Sequence, residues 1–238
     1  VTASNDDHCP PYLSYPSEQS KDINNKIYKL LENDNLIKWL AKNPCIIHCK
    51  IEPYILGPKW QWKTTRFNGE NKNTHMRIFK KHCLTPKKNL YDKEMKKNLL
   101  YFNFTSQTTG TPLYSHHKNI RNNIKNNLSK HFEWINNQPF EEYIETLKTY
   151  KFCIAPPGRG IDTHRCWEAL MVGTIPIVES NTLNNLYINL PVVVVTDWSS
   201  ITEEYLIIRY QKIIKEQNYD FDKLYTYYWK NKIFNMRL

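Results

Sequence analysis

The spacing of apolar residues changes several times along the chain, and each change marks an expected element. Ile23, Ile27, Leu30 and Leu31 recur at helical intervals and predict a helix over 22–31. Apolar runs at 36–41 and 46–51, on either side of Asn43-Pro44, predict two strands. The opening VTAS, stopped by Asn5 to His8 and by Pro10-Pro11, predicts another. Residues 80–98 are lysine-dense and poor in apolar positions, the composition of a linker. Beyond them LLYFNF at 99–104, the run 151–155 and PVVVV at 191–195 read as buried strands, with helices over 116–131, 140–150, 201–214 and 224–234. Strands alternating with helices predict an α/β fold with parallel sheets. The lysine-rich stretch divides it into an N-terminal domain (1–85), a basic linker (86–98) and a C-terminal domain (99–238).

Composition narrows the partners more than the fold. The 238 residues carry 33 Lys and Arg against 23 Asp and Glu, and a net charge of +10 favours anionic partners. No apolar run is long enough to span a bilayer, and Val1 to Pro11 is no signal peptide, which predicts a cytoplasmic protein. The chain starts at Val rather than Met, which leaves room for a removed N-terminal anchor or leader. The six cysteines, at 9, 45, 49, 83, 153 and 166, lack zinc-site spacing and read as free, largely buried thiols, which fits a reducing compartment. The sequons at Asn103 and Asn127 read as chance matches, the first inside an expected strand.

The densest chemical signal lies at 152–178, FCIAPPGRGIDTHRCWEALMVGTIPIV, a strand, a Pro/Gly/Arg loop, a helix and a second strand. Ligands of parallel α/β sheets bind at the carboxyl ends of strands, facing the N-terminus of the next helix. Gly158 and Gly160 let backbone N–H groups approach an anion, and Arg159 adds a forked cation. On the helix, Cys166, Ala169, Leu170 and Gly173 share a sheet-facing side, while His164, Arg165 and Glu168 share the opposite one. Glu168 lies about 9 Å along the axis from Asp162, the reach from a diphosphate to a ribose. Arg165 then holds phosphate, Glu168 accepts from ribose hydroxyls, and Asp162 caps the helix. The competing assignment is an ordinary i,i+3 surface ion pair between Arg165 and Glu168.

This segment resembles the signature of the exostosin-like glycosyltransferases. The similarity extends through NTLNNLYINLPVVVVTDWSSIT, back through LLYFNFT to Arg121, and faintly into SNDD and NPCIIHCKIEPYILGPKWQWK. Within that family the chain is most similar to members from chlorella viruses and other large DNA viruses, a xylosyltransferase among them. The resemblance implies a GT-B arrangement, two Rossmann-like domains facing a cleft, the N-terminal one small here. It implies an inverting transfer of a sugar, xylose from UDP-xylose, to a hydroxyl of a glycan or glycoprotein acceptor, in the host cytoplasm if viral. No metal and no obligatory cofactor are implied beyond the nucleotide-sugar substrate. Carried over by position, Gly158, Arg159, Gly160, His164, Arg165, Glu168 and Arg121 are donor-binding.

An inverting transfer needs a general base opposite the leaving diphosphate. Asp6 and Asp7 at the end of the opening strand are the candidates, Asp7 first, with His8 and Glu70 behind; simple turn formation after a strand is the alternative. Trp60 and Trp62 face the same way in an extended segment beside Lys59 and Lys63, forming either a stacking platform for an acceptor or the seal of a sheet edge. His48, His75, His116 and His117 show no metal-ligand spacing and take solvated or capping roles, and Asp220-Phe221-Asp222 reads as a helix cap rather than a metal-binding D-x-D. Two other classes remain open: a basic nucleic-acid-binding protein, which the spread of Lys and Arg along the chain disfavours, and an inactive glycosyltransferase-like lectin.

Overall fold

The computed structural model describes residues 18–44, 46–59, 74–83, 85–105, 112–158 and 160–236. They form eight α-helices and six strands in two parallel sheets, a mixed α/β architecture. Helix α1 (Glu18–Glu32) precedes a two-stranded sheet, β1 (Trp39–Ala41) beside β2 (Ile51–Pro53), with Trp39 opposite Ile51. Ile27, Leu31, Trp39, Ala41 and Ile51 make a small core of their own. The strand expected at 46–51 begins only at Ile51. His48 turns the chain there, its Nδ1 bonding the Lys50 N–H at 3.1 Å and its carbonyl accepting from Ile51 N at 2.9 Å.

Helices α2 (Thr74–His82) and α3 (Pro86–Tyr91) lead to the larger sheet. The lysine-dense stretch 86–98 thus contains a helix, and Leu90 and Lys96 within it are both buried. The larger sheet runs β3 (Asn98–Tyr101), β4 (Tyr150–Ile154), β5 (Ile175–Glu179), β6 (Val193–Val195) in that order, all parallel. Its strands are nearly continuous apolar runs, as sheets covered on both faces require. Helices α4 (Pro112–Leu128) and α5 (Phe140–Lys148) connect β3 to β4, and α6 (His164–Met171) connects β4 to β5. Helices α7 (Glu203–Ile213) and α8 (Thr226–Asn235) close the chain. The Asp220-Phe221-Asp222 triplet opens a 3-10 turn, where the Asp220 side chain makes no capping bond and Asp222 accepts from the Tyr227 hydroxyl.

Two features fix α6 against its surroundings. Gly173 ends the helix at φ +73°, with its N–H on Leu170 O at 3.0 Å and Thr174 N–H on Ala169 O at 2.8 Å, the paired bonds of a Schellman cap. A Cβ at Gly173 would lie 2.5 Å from Leu90 N and 2.6 Å from Pro86 O, so the missing side chain also admits α3. Beside it the buried Lys96 ammonium donates to Lys148 O at 2.8 Å and Thr174 Oγ1 at 2.9 Å. Burial pulls its pKa down to about 7, while a carbonyl at the C-terminal end of α5 favours the cation.

Candidate active site

The loop after β4 is held from both sides. Arg121 on α4 donates from Nε to Pro157 O at 2.7 Å and from Nη1 to Thr105 O at 2.5 Å. His117, buried rather than solvated, meets Gly158 O through Nδ1 at 2.7 Å. Gly158 N–H bonds Gly160 O at 2.9 Å, and a Cβ at Gly160 would fall 2.5 Å from Asn43 Nδ2. The two glycines thus serve a tight turn and a close approach by Asn43, which itself sits at φ 49° and accepts from Asp162 N–H at 2.6 Å.

Thr163, not Asp162, caps α6, its hydroxyl accepting from Cys166 N–H at 3.4 Å. Asp162 is buried one residue earlier, where its carboxylate accepts from Leu56 N–H at 2.7 Å and from Trp167 Nε1 at 2.7 and 2.9 Å. It pins the 56–59 segment to α6, a job that helix spacing does not reveal. Burial raises its pKa to about 6, against the Leu56, Trp167 and Thr163 N–H donors. A raised folded pKa means that the fold favours the protonated form. The corresponding stability is complete below about pH 3.8 and lost as pH rises through about 6, a difference of about 3 kcal/mol. Denaturant unfolding of the wild type and Asp162→Asn at several pH values checks this. The wild type should lose stability relative to the variant between pH 4 and 6, and parallel profiles would contradict the raised pKa.

Where the carboxyl ends of β3 and β4 meet α6, a cavity of about 510 Å³ opens. Tyr101, Asn103, Phe104 and Thr105 line it from the β3 side, Gln138, Phe140 and Tyr143 from the α5 side, and Pro156, Thr163, His164, Arg165 and Glu168 from the β4–α6 side. Asn137, Arg121 and Lys59 complete the wall. Arg165 is half-buried, and its guanidinium lies 5.4 Å from the centre of the Tyr143 ring and 5.9 Å from that of Tyr101. Its Nη1 is sealed from solvent and has no hydrogen-bond partner among the described residues. A cationic N–H sealed from solvent without an acceptor costs free energy and favours an anion that completes it. Arg121 deepens the positive field: burial first, then the nearby Arg165 charge, lowers its pKa to about 10.

Glu168 is buried beside Arg165, so the expected ligand face of α6 is an interior wall rather than an open surface. Its Oε1 accepts from Lys59 N–H at 3.2 Å and its Oε2 from the Tyr143 hydroxyl at 3.1 Å. Burial, reinforced by the Glu168 charge, holds the Tyr143 pKa well above the ordinary value, so the phenol stays a donor. His164 Nδ1 meets Gly57 O at 2.8 Å. An isolated Arg165–Glu168 surface pair does not describe this arrangement, because both side chains are engaged by aromatic rings and by the 56–59 segment.

The structure therefore brings together Arg121, His164, Arg165 and Glu168 around one cavity, with Gly158 and Gly160 shaping the loop behind it. Arg159, Asp6, Asp7, His8, Trp60, Trp62, Lys63 and Glu70 lie outside the described residues. Tyr101, Tyr143 and Gln138, which no sequence motif marks, also line the cavity, as does Asn103, noted in the sequence only as a sequon. The two tyrosines sit within apolar patterns that mark burial and say nothing of a cationic neighbour.

Fold and site together define the class, a parallel α/β protein with a cationic pocket at the carboxyl ends of its strands, the layout that takes phosphorylated ligands. The Exostosin GT47 domain matches residues 72–202, more than half of the chain, and the chain belongs to that glycosyltransferase family. Glycosyl transfer from a nucleotide sugar to a glycan acceptor is the activity that goes with membership, and a nucleic-acid-binding role is not favoured. No curated protein matches the chain. Among the described residues no helix is long and apolar enough to cross a membrane.

Proposed function

We propose that the cavity is the donor site of an inverting, metal-independent glycosyltransferase, with the diphosphate of a UDP-sugar on Arg165 and the ribose hydroxyls on Glu168. The sealed, unpartnered Nη1 of Arg165 carries this assignment, because a phosphate oxygen supplies the acceptor it lacks. Each Glu168 oxygen takes one N–H or O–H donor within the protein and keeps capacity for a ribose hydroxyl. Arg121 spends two nitrogens on the loops and positions the wall. His164 ties its ring to Gly57 and closes the same edge.

Around this site we infer a GT-B arrangement divided at 86–98, which two separate parallel sheets support. Xylose as the transferred sugar rests on sequence resemblance alone. Asp7, with Asp6 beside it, is the proposed base, and Trp60, Trp62 and Lys63 the acceptor side; Arg159, Gly158 and Gly160 belong to the donor loop. Inversion then follows from the base taking the acceptor proton while the hydroxyl attacks the anomeric carbon opposite the departing diphosphate.

Calorimetric titration with UDP, GDP and ADP tests the donor site. UDP should bind most tightly and lose affinity in both Arg165→Ala and Glu168→Ala; wild-type affinity in both variants would remove the assignment. Asp7→Asn should retain UDP binding and abolish sugar transfer, and a variant that still turned over would move the base elsewhere. Donor hydrolysis across a panel of UDP-sugars reads out xylose preference and separates an enzyme from a lectin.

A further inference from the structure

Helices α2 and α5 pack together, and α5 lines the cavity with Phe140 and Tyr143. His75 stacks on Phe140 at 3.8 Å between ring centres and meets Lys59 O through Nδ1 at 3.2 Å. On another side of the same pair, His82 ends α2 beside Glu141 and Glu145, which are one turn apart on α5. Its Nε2 lies 3.9 Å from Glu141 Oε1 and 3.5 Å from Glu145 Oε1, and one nitrogen and two carboxylate oxygens come within 4.8 Å of one another. None of the three lines the cavity.

The imidazole marks this cluster as more than a patch of surface acids. The His82 side chain is only 10% exposed, and its Nε2, aimed at the two carboxylates, is sealed from solvent with no hydrogen-bond partner among the described residues. An imidazole nitrogen left in that condition costs free energy that a ligand bond recovers. The Lys81 ammonium rests 3.1 Å from Glu141 Oε1 and 3.5 Å from Glu145 Oε1, so the carboxylates already hold a cation.

We propose that His82, Glu141 and Glu145 form a binding site for one zinc-class divalent ion, which displaces the Lys81 ammonium and clamps α2 to α5. One nitrogen and two carboxylate oxygens suit zinc, whereas magnesium and calcium prefer oxygen alone. Ligand bonds of about 2.0–2.2 Å need only side-chain adjustment from these separations. The remaining coordination position faces solvent through the half-exposed carboxylates. The ion acts on the reaction only by steadying the helix pair that shapes the donor wall.

Zinc titration of the chelator-stripped full chain, read by calorimetry and by the visible spectrum of the cobalt-substituted protein, tests the site. The wild type should take up one equivalent with a rise in melting temperature. Glu145→Gln, on an exposed position, and His82→Gln should each weaken binding by roughly tenfold or more, and Lys81→Met should tighten it. Failure of the wild type to bind zinc would overturn the proposal. So would equal affinity in wild type and Glu145→Gln, or unchanged affinity in Lys81→Met.

Discussion

Arg165→Met is expected to lower sugar transfer by about 10²–10³-fold, the loss that follows removal of one preorganised donor to a developing anion. The same substitution should lower the melting temperature modestly. Arg165 is a half-buried cation whose sealed Nη1 lies unpartnered among the described residues between Tyr101 and Tyr143, and it adds to the burial that lowers the Arg121 pKa. Met keeps apolar contact with both rings but leaves the buried Glu168 carboxylate without its neighbouring cation. Steady-state transfer and thermal unfolding of the variant check both halves. A large fall in stability with unchanged activity would make Arg165 a structural residue.

The second large effect falls on stability. Gly173→Ala must adopt φ +73° with its Cβ 2.5 Å from Leu90 N and 2.6 Å from Pro86 O, both backbone atoms that cannot move alone. The left-handed conformation costs about 1–2 kcal/mol and overpacking about 1–3 more. For a domain of this size that lowers the melting temperature by roughly 10 °C. Gly57→Ala is the control, because Gly57 shares a φ of +75° but a Cβ there meets nothing within 4 Å. Only the conformational cost applies to it. Equal destabilisation of the two variants would show that the approach of α3 to Gly173 contributes nothing.

Much of the C-terminal half was legible in the sequence, because buried parallel strands leave continuous apolar runs. LLYFNF, FCIA and PVVVV fall on β3, β4 and β6, and the helix between β4 and β5 lies where the 152–178 segment placed it. Even there LLYFNF extends past its strand: Phe102 to Phe104 are buried but irregular, since burial and pairing are separate demands. The periodicity of α6 separated Cys166, Ala169 and Leu170 from Arg165 and Glu168. It could not show that the second side is covered as well, because the covering comes from Lys59 and Tyr143, distant in sequence. Asn43 illustrates the same limit. Its side chain meets Asp162 N–H across 119 residues, and no local pattern announces a polar side chain that satisfies a remote backbone group. The His82 Nε2 beside Glu141 and Glu145 is hidden in the sequence for that reason too, because these groups converge from two helices rather than from neighbouring positions.

The central assignment places a diphosphate on Arg165. Determining the structure of the protein with UDP bound tests it most directly. The expected result is a phosphate oxygen within hydrogen-bonding distance of Arg165 Nη1 and the ribose hydroxyls on Glu168, inside the cavity bounded by Tyr101, Tyr143 and Pro156. UDP bound elsewhere, with Nη1 still unpaired, would contradict it.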